Sequence, residues 1–173
     1  EHIYVFSTIA LKKILEKFGL EIFDIESTKT HGGSNRYLIK RISNKSYNIH
    51  SNVKKQITKE LNYGLHKFST YNKFAIKVEK SKKKLIVIFK NLKKINAKII
   101  GYGATAKSCT VLNYCGIGKN YIEYFYDTTS YKINKYLPGS KILIKKYKKL
   151  DRNKTDVVYL GAWNFKDEIF KKE

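Results

Sequence analysis

Hydrophobic spacing in the first 68 residues predicts a helix followed by a two-stranded hairpin. Ser7 stands where an N-cap belongs, apolar residues follow at helical intervals, and Gly19 is placed to end the helix. Residues 20–26 then alternate between apolar and polar side chains, and residues 36–42 form a second strand pattern. The polar segment 30–34, which contains two glycines, is expected to be the loop between them.

A long helix is predicted in the middle of the chain. Residues 43–52 form a polar loop pattern, and a short helix is expected over residues 53–63, ending at Gly64. From residue 69 to about residue 96, apolar side chains recur every three or four positions. At ~1.5 Å per residue, such a helix approaches ~40 Å in length. Its apolar stripe consists of Tyr71, Phe74, Val78, Leu85, Ile88, Leu92 and Ile95.

The last part of the chain alternates between strand and helix patterns. Strands are predicted over residues 98–102, 121–126, 142–144 and 156–161, and helices over residues 105–114, 146–151 and 164–172. This alternation implies a mainly parallel sheet with right-handed crossovers. We therefore expect an α/β fold of the Rossmann-like kind, in which helices flank a mainly parallel sheet and the N-terminal hairpin is an antiparallel addition.

We expect a single domain over residues 1–173. It would comprise a helix and hairpin region over residues 1–68, the long helix over residues 69–96 and an α/β core over residues 97–173. A chain of 173 residues, 42% of them hydrophobic, is long enough to bury a substantial core.

The composition favours a soluble, cytoplasmic protein. No run approaches the ~18 apolar residues of a membrane span, and no secretory signal pattern opens the chain. The sequence contains no methionine and begins Glu1-His2-Ile3, so we expect a piece of a longer protein. Cys109 and Cys115 fall on different sides of a predicted helix, which favours two small buried hydrophobic residues. Cysteines and histidines show no zinc-ligand spacing, so no metal is expected.

The formal charge of +22 raises the question of a nucleic-acid or membrane partner. Of the 36 basic residues, only Arg36, Arg41 and Arg152 are arginine, the residue that base recognition favours. The lysines are spread along most of the chain. We therefore interpret the charge as a solvated surface and expect no specific nucleic acid and no membrane partner, although a basic nucleic-acid-binding module stays an alternative.

A glycine-rich turn between a strand pattern and a helix pattern is the most informative local motif. It spans residues 98–108 and contains Gly101, Gly103 and Ala106. In a nucleotide-binding turn, Gly101 would allow the tight turn, Gly103 would let the backbone approach a ligand, and Ala106 would let the helix pack on the strand. Any strand-to-helix turn can also use glycine without binding a ligand. Together with Asp127, the motif keeps open a fragment of an NAD(P)-dependent oxidoreductase.

Ligands of open parallel sheets collect at the carboxyl ends of the strands. Three polar loops are predicted there, over residues 101–107, 127–139 and 161–164. Lysines and backbone N–H groups would suit a pyrophosphate, and an acidic residue would suit a ribose hydroxyl. The candidate ligand-binding residues of the first two loops are Gly101, Gly103, Lys107, Asp127, Tyr131, Lys132, Lys135 and Tyr136. For Asp127, a cap of a helix or turn is an equally good interpretation.

Several short motifs, in one order along nearly the whole chain, carry a family resemblance. They are Glu1-His2 with Tyr4, Phe6 and Ser7; Thr30-His31-Gly32-Gly33-Ser34 with Arg36; Gly101-Tyr102-Gly103-Ala104 with Ala106-Lys107; Leu112-Asn113-Tyr114-Cys115-Gly116-Ile117; Asp127; and Lys135-Tyr136-Leu137-Pro138-Gly139. The sequence thereby resembles the C-terminal domain of S-adenosylmethionine-dependent C-methyltransferases that act on nucleotide-linked sugars. It departs from that pattern at Thr105, where relatives often carry proline, and at Asn35, where they often carry an apolar residue.

The resemblance implies a three-part parent enzyme. A small zinc-binding segment precedes a Rossmann-like middle domain that holds S-adenosylmethionine, and a C-terminal domain helps to seat the nucleotide-linked sugar. This chain resembles only the last part, so its expected partners are that sugar and the upstream domain, its cofactor binds upstream, and the fragment alone is expected to be inactive.

Residue roles also follow from the resemblance. His2 is implied as the catalytic base, with Glu1 beside it to orient the imidazole or help hold the substrate. A neutral imidazole can accept a carbon-bound proton next to a sugar ketone near pH 7, and the resulting enediolate would attack the methyl carbon of the donor. His31, Ser34 and Arg36 are implied in substrate binding, while the loop 30–34 is equally open to a structural role in the hairpin.

Overall fold

A computed structural model describes residues 4–29, 33–151 and 153–173. The chain divides into two compact units, unit 1 over Glu1–Ile76 and unit 2 over Lys77–Glu173. The boundary falls within the long helix, and a single domain over all 173 residues stays a prediction.

Unit 1 contains the predicted helix and hairpin. Its elements are α1 (Thr8–Glu16), β1 (Leu20–Thr28), β2 (Ser34–Arg41), α2 (Ser51–Tyr63) and the start of α3 (Phe68–Lys94). Ser7 is the N-cap of α1, where its hydroxyl accepts a hydrogen bond from the Ala10 N–H at 3.2 Å. Strands β1 and β2 pair antiparallel, with a register shift between Ile22 and Asp24. The predicted antiparallel hairpin is confirmed.

A buried carboxylate joins the two helices that pack on this hairpin. Glu60 of α2 is 5% exposed and accepts hydrogen bonds from the backbone N–H groups of Thr8 at 2.8 Å and Ile9 at 3.0 Å. Burial alone raises the pKa of Glu60, but hydrogen bonds from Thr8, Ile9 and Gln56 hold it below its ordinary value. The ionised side chain therefore satisfies the free N–H groups at the start of α1. The adjoining apolar core consists of Ile22, Ile25 and Val53, with Leu11, Leu15, Tyr37 and Ile57 packed against it.

The predicted long helix is present as α3, with 27 residues. Phe89 is buried, and Leu85, Ile86 and Leu92 pack against the core of unit 2. Other members of the predicted stripe are exposed, namely Tyr71, Phe74, Ile88 and Ile95. The predicted stripe is therefore wrong at these four positions, while Leu85 and Leu92 lie against the core as predicted. Phe89 and Ile86, which the prediction left out, also face the core.

Besides the rest of α3, unit 2 contains β3 (Ile99–Tyr102), α4 (Ala106–Cys115), β4 (Tyr124–Asp127), β5 (Leu143–Lys146), β6 (Val157–Leu160) and α5 (Lys166–Lys172). Its four strands form a parallel sheet in the order β5-β4-β3-β6. Short 3-10 turns lie at Ser130–Lys132 and Trp163–Phe165. The fold class is confirmed: a parallel sheet flanked by helices, an antiparallel hairpin and one long helix.

The helix predicted over residues 146–151 is wrong. Lys146 ends β5, and residues 147–151 form no helix. The Tyr147 N–H donates to the carbonyl oxygen of Asp127 at 3.0 Å, which continues the pairing with β4. The Tyr147 ring packs at edge geometry against Tyr102 and Tyr126. These tertiary contacts outweigh the local helical propensity of a lysine-rich segment.

The core of unit 2 is built around Phe125 on the central strand β4. Phe125 is fully buried and belongs to a cluster of buried residues that includes Ile99, Leu112, Ile117, Ile122, Leu137, Ile142 and Ile144. Gly101 on β3 makes room for this ring, since a Cβ at position 101 would lie 2.4 Å from three of its atoms. Cys115 is buried and Cys109 is half-buried, and both are free thiols.

Candidate functional site

The loops at the carboxyl ends of β3, β4 and β6 meet at one edge of the sheet. The Ala104 N–H donates to Oδ2 of Asp127 at 2.8 Å, and Nζ of Lys132 donates to the carbonyl oxygen of Ala104 at 3.0 Å. The Gly161 N–H donates to the carbonyl oxygen of Tyr102 at 2.8 Å. These bonds confirm the prediction that the loops beginning at residues 101 and 127 converge.

The sharp turn after β3 lies at Gly103, with a φ of 82°. A Cβ there would lie 2.4 Å from Cβ of Ala162, so glycine permits the close approach of the loop after β6. The tight turn predicted at Gly101 is wrong, because Gly101 lies inside β3 and faces Phe125. Any contact of either glycine with a ligand stays a prediction.

Thr105 begins α4 and joins it to the third loop. Its hydroxyl oxygen accepts from the Ser108 N–H at 3.1 Å as an N-cap, and the hydroxyl donates to the carbonyl oxygen of Gly161 at 3.1 Å. The positive end of the α4 dipole therefore lies beside the loops after β3 and β6.

Asp127 is buried and uses its carboxylate to fix two loops. Oδ2 accepts from Ala104, Oδ1 accepts from the Thr129 N–H at 2.8 Å, and Nζ of Lys132 lies 3.4 Å from Oδ2. Burial raises the pKa of Asp127, but the hydrogen bonds from Thr129 and Ala104 and the charge of Lys132 hold it below its ordinary value. The structure thus places Asp127 as an ionised cap of its own turn at the edge of a cavity.

Replacing Asp127 with asparagine should lower the free energy of unfolding by about 1–3 kcal/mol, because an amide nitrogen would face a backbone N–H donor. The folded-state pKa lies below the unfolded one, so the carboxylate contribution is complete above the ordinary carboxyl pKa of ~3.9 and declines as pH falls through the folded value. Urea unfolding at pH 7 and below pH ~4 measures the difference, which should shrink in acid.

Glu123→Gln is the control for charge, since Glu123 is an exposed carboxylate in the same unit. Its stability at neutral pH should stay within about 0.5 kcal/mol of the wild type. Equal stability of the Asp127→Asn variant and the wild type at pH 7 would contradict the structural role of Asp127.

A cavity of about 310 Å³ opens beside these loops. Its polar rim consists of Thr105, Asp127, Thr128, Thr129 and Lys132. Its aromatic lining consists of Tyr102, Tyr126, Tyr147 and Phe165, and α5 contributes Glu168, Ile169 and Lys172. A lining that combines hydroxyl and ammonium donors with aromatic rings can accept a molecule that has an anionic group and a flat ring.

The tyrosines of the cavity form one cluster. The ring of Tyr147 lies 5.6 Å from that of Tyr102 and 6.3 Å from that of Tyr126, measured between centroids. Burial, together with the nearby negative charge of Glu173, raises the pKa of Tyr102 above its ordinary value. Its hydroxyl interacts with the carboxylate of Glu173 and the hydroxyl of Tyr147.

Lys107, Lys135 and Tyr136 do not line the cavity. Nζ of Lys107 lies 5.9 Å from the ring centroid of Trp163. The carbonyl oxygen of Lys135 accepts from the Ile144 N–H at 2.8 Å, and the exposed Tyr136 forms a bridge with Leu143. Their predicted roles in substrate binding stay predictions.

The other predicted site residues belong to the N-terminal part of the chain. Nη1 of Arg36 donates to Oε2 of Glu26 at 2.9 Å, and both side chains are largely exposed. The carbonyl oxygen of Ser34 accepts from the Thr28 hydroxyl at 3.4 Å. Glu1, His2 and His31 lie outside the described residues.

The aromatic residues and α5 were missing from the sequence-based site. Strand alternation could have placed Tyr102, Tyr124 and Tyr126 on one face of the sheet. Tyr147 is missing from the predicted site because its segment is predicted to form a helix. No local pattern indicates that Glu168 and Lys172 of α5 line the same cavity.

Two absences concern the part of the chain that the structure describes. There, no group of three or more His, Cys, Asp or Glu side chains could hold a metal ion. Within residues 4–29, 33–151 and 153–173, no helix combines the length and apolarity needed to span a bilayer.

Comparison with known proteins gives two matches. The family model described as the C-methyltransferase C-terminal domain matches residues 29–173. Over all 173 residues, the chain is 29% identical to the protein named C-methyltransferase NovU from Streptomyces niveus. The match covers 100% of this chain and 41% of that relative. The chain thus spans well under half the length of the curated relative it matches.

Proposed function

Since this chain belongs to the family of C-methyltransferase C-terminal domains, we propose that it is the part of an S-adenosylmethionine-dependent C-methyltransferase that binds a nucleotide-linked sugar. The observation that carries the ligand class is the cavity at the carboxyl edge of the parallel sheet, where cationic and N–H donors adjoin aromatic rings.

The rim of the cavity suits a diphosphate. Nζ of Lys132 is directed to the edge by its contacts with Ala104 and Asp127 and keeps a side chain that is 28% exposed. Thr105, the N-cap of α4, lines the cavity, so the positive end of the α4 dipole lies beside it. The hydroxyl of Thr128 adds a further hydrogen-bond donor. An anion at this rim would meet the ammonium of Lys132 and the α4 dipole, next to the ionised carboxylate of Asp127.

The interior suits a nucleobase or a sugar ring. Tyr102, Tyr126 and Phe165 provide flat apolar surfaces, and the tyrosine hydroxyls provide polar contacts at their edges. Ligand cavities span ~300–1,000 Å³, and the volume of about 310 Å³ lies at the small end of this range. We propose that it takes the nucleotide end of the substrate, so that the sugar extends from the rim toward the rest of the enzyme.

The methyl donor is assigned to a region outside these 173 residues. The match covers 41% of the relative, which leaves room there for a domain that binds S-adenosylmethionine. That cofactor supplies an electrophilic methyl group. The chain by itself would therefore bind the nucleotide-linked sugar and transfer no methyl group.

The proposed chemistry of this chain is proton removal. His2, as a neutral imidazole, accepts a proton from the carbon beside the sugar ketone, and the electron pair of that C–H bond passes into an enediolate. Glu1 orients the imidazole through a carboxylate. The carbon of the enediolate would then form the new bond to the methyl carbon while the methyl–sulfur bond of the donor breaks, so that the donor would leave as a neutral thioether. Contacts with the substrate are also proposed for His31, Ser34, Arg36, Lys107, Lys135 and Tyr136.

Titration calorimetry of this chain with uridine 5′-diphosphate and thymidine 5′-diphosphate tests the ligand class. Saturable binding is expected, and Lys132→Ala should raise the dissociation constant about tenfold by removing one charged hydrogen-bond donor. Lys119→Ala is the matched control, because Lys119 is an exposed lysine of the same unit that does not line the cavity.

Lys132→Arg should recover much of the affinity, since it restores a cationic donor. If neither this chain nor the intact parent enzyme binds a nucleoside diphosphate or its sugar, the proposed function is wrong. Equal losses in the Lys119 and Lys132 variants would indicate attraction to overall charge instead of a site.

A further inference from the structure

Helix α5 is short and shallowly packed, although it forms one side of the cavity. It has seven residues, and neither it nor the preceding turn Trp163–Phe165 contains a buried residue. Isolated helices shorter than about 12–15 residues are marginal in water. Contacts with the rest of unit 2 must therefore hold α5 in place.

Those contacts converge on the segment that follows β5. The hydroxyl of Tyr147 donates to Oε1 of Glu173 at 2.7 Å, and the Leu150 N–H donates to Oε2 at 3.1 Å. Nζ of Lys172 lies 3.6 Å from the centroid of the Tyr147 ring. The carboxylate of Glu173 thus accepts two hydrogen bonds from one segment and also interacts with the hydroxyl of Tyr102, and the ammonium of Lys172 lies over the Tyr147 ring.

Tyr147 is itself fixed by the sheet. Its backbone N–H donates to the carbonyl oxygen of Asp127, and its ring contacts Tyr102 and Tyr126. The ring also lines the cavity. One side chain therefore contacts the sheet, the cavity and the end of α5 at once.

We infer that the hydroxyl of Tyr147 and the carboxylate of Glu173 form a latch that holds α5 as a wall of the cavity, and that closure of this latch is coupled to ligand binding. Glu168, Ile169 and Lys172 face the cavity only while α5 keeps its place. A ligand that contacts them must stabilise α5, and a loosened α5 must lower the affinity to the same extent. Tyr147 is a positioning residue in this scheme. The coupling rests on the proposed ligand site, whereas the latch does not.

Amide hydrogen exchange of residues 166–172 in the ligand-free chain tests the latch. Tyr147→Phe keeps the ring contacts and removes the hydroxyl, and Glu173→Gln removes the charged acceptor. Each variant should exchange about tenfold faster in α5, the effect of losing one hydrogen bond to a charged group. Tyr63→Phe is the matched control, because it removes a hydroxyl from a tyrosine that is 70% exposed. It should leave exchange in α5 unchanged.

Calorimetry with uridine 5′-diphosphate tests the coupling. Saturating nucleotide should slow exchange in α5 of the wild type, and both latch variants should bind it about five- to tenfold more weakly. Unchanged exchange in both variants would overturn the latch. Faster exchange with unaltered affinity would overturn the coupling. If the wild-type chain binds no uridine 5′-diphosphate, the coupling is overturned, and the exchange rates of the ligand-free proteins still decide whether the latch exists.

Discussion

Replacing His2 with glutamine in the intact parent enzyme should slow methyl transfer about 10²–10⁴-fold, the usual effect of removing a general base. The proposed reaction begins when a carbon-bound proton leaves the sugar, and glutamine cannot accept a proton near neutral pH. Two assays measure the loss: transfer of a labelled methyl group, and exchange of the sugar C–H for solvent deuterium without the methyl donor. Both rates should fall together because they share the proton-removal step.

His66→Gln provides the comparison, since His66 is an exposed histidine between α2 and α3. It should leave both rates near those of the wild type. If His2→Gln abolishes methyl transfer but leaves solvent exchange intact, His2 is not the base. The affinity for nucleotide should be unaffected, because the proposed nucleotide cavity is lined by unit 2 residues.

Replacing Phe125 with alanine should lower the free energy of unfolding by about 3–5 kcal/mol. Phe125 is fully buried on a central strand, and its ring lies at edge geometry 6.0 Å from that of Tyr159. Its register partner on the neighbouring strand β3 is Gly101, which has no side chain to move into the space. The cavity should therefore persist, which places the cost in the upper part of the usual range. Urea unfolding followed by circular dichroism measures it.

The glycine makes a double-mutant test possible. Gly101→Ala alone should destabilise the protein, because the new Cβ would lie 2.4 Å from the ring of Phe125. In the Phe125→Ala background, the same methyl group fills vacated space and should recover part of the stability. Phe170→Ala, at a position 69% exposed, should change stability by less than about 0.5 kcal/mol. Additive effects of the two core changes would contradict this packing.

The sequence predicts the fold well where local chemistry and tertiary packing agree. Ser7 caps the start of α1 and Gly64 ends α2 with a φ of 85°, as their capping preferences predict. The stop predicted at Gly19 is wrong, because α1 ends at Glu16 with Lys17 as its C-cap. Apolar strand runs bounded by such turns identify the parallel sheet. The prediction fails at Tyr147, where a lysine-rich segment without alternation carries no strand signal, and its conformation depends on rings from β3 and β4.

The site is predictable only in part for a similar reason. The rule that ligands bind at the carboxyl ends of parallel strands brings the loops of Gly103 and Asp127 together before any coordinates are known. The rule does not predict that the carboxylate of Asp127 accepts hydrogen bonds from the N–H groups of Ala104 and Thr129, because these bonds depend on the detailed geometry of two turns. The place of α5 beside the cavity depends on tertiary contacts with the segment after β5, and no periodic pattern in the sequence predicts such contacts.

The hydrogen bonds from Thr8 and Ile9 to Glu60 constrain the order in which the chain can fold during synthesis. The two ends of this contact are 52 positions apart, and the nine residues of α1 are too few for a stable helix on their own. On the ribosome, α1 must therefore wait until α2 has emerged and closed this loop. The N-terminal turn of α1 therefore gains its partner only after the hairpin and α2 have been synthesised.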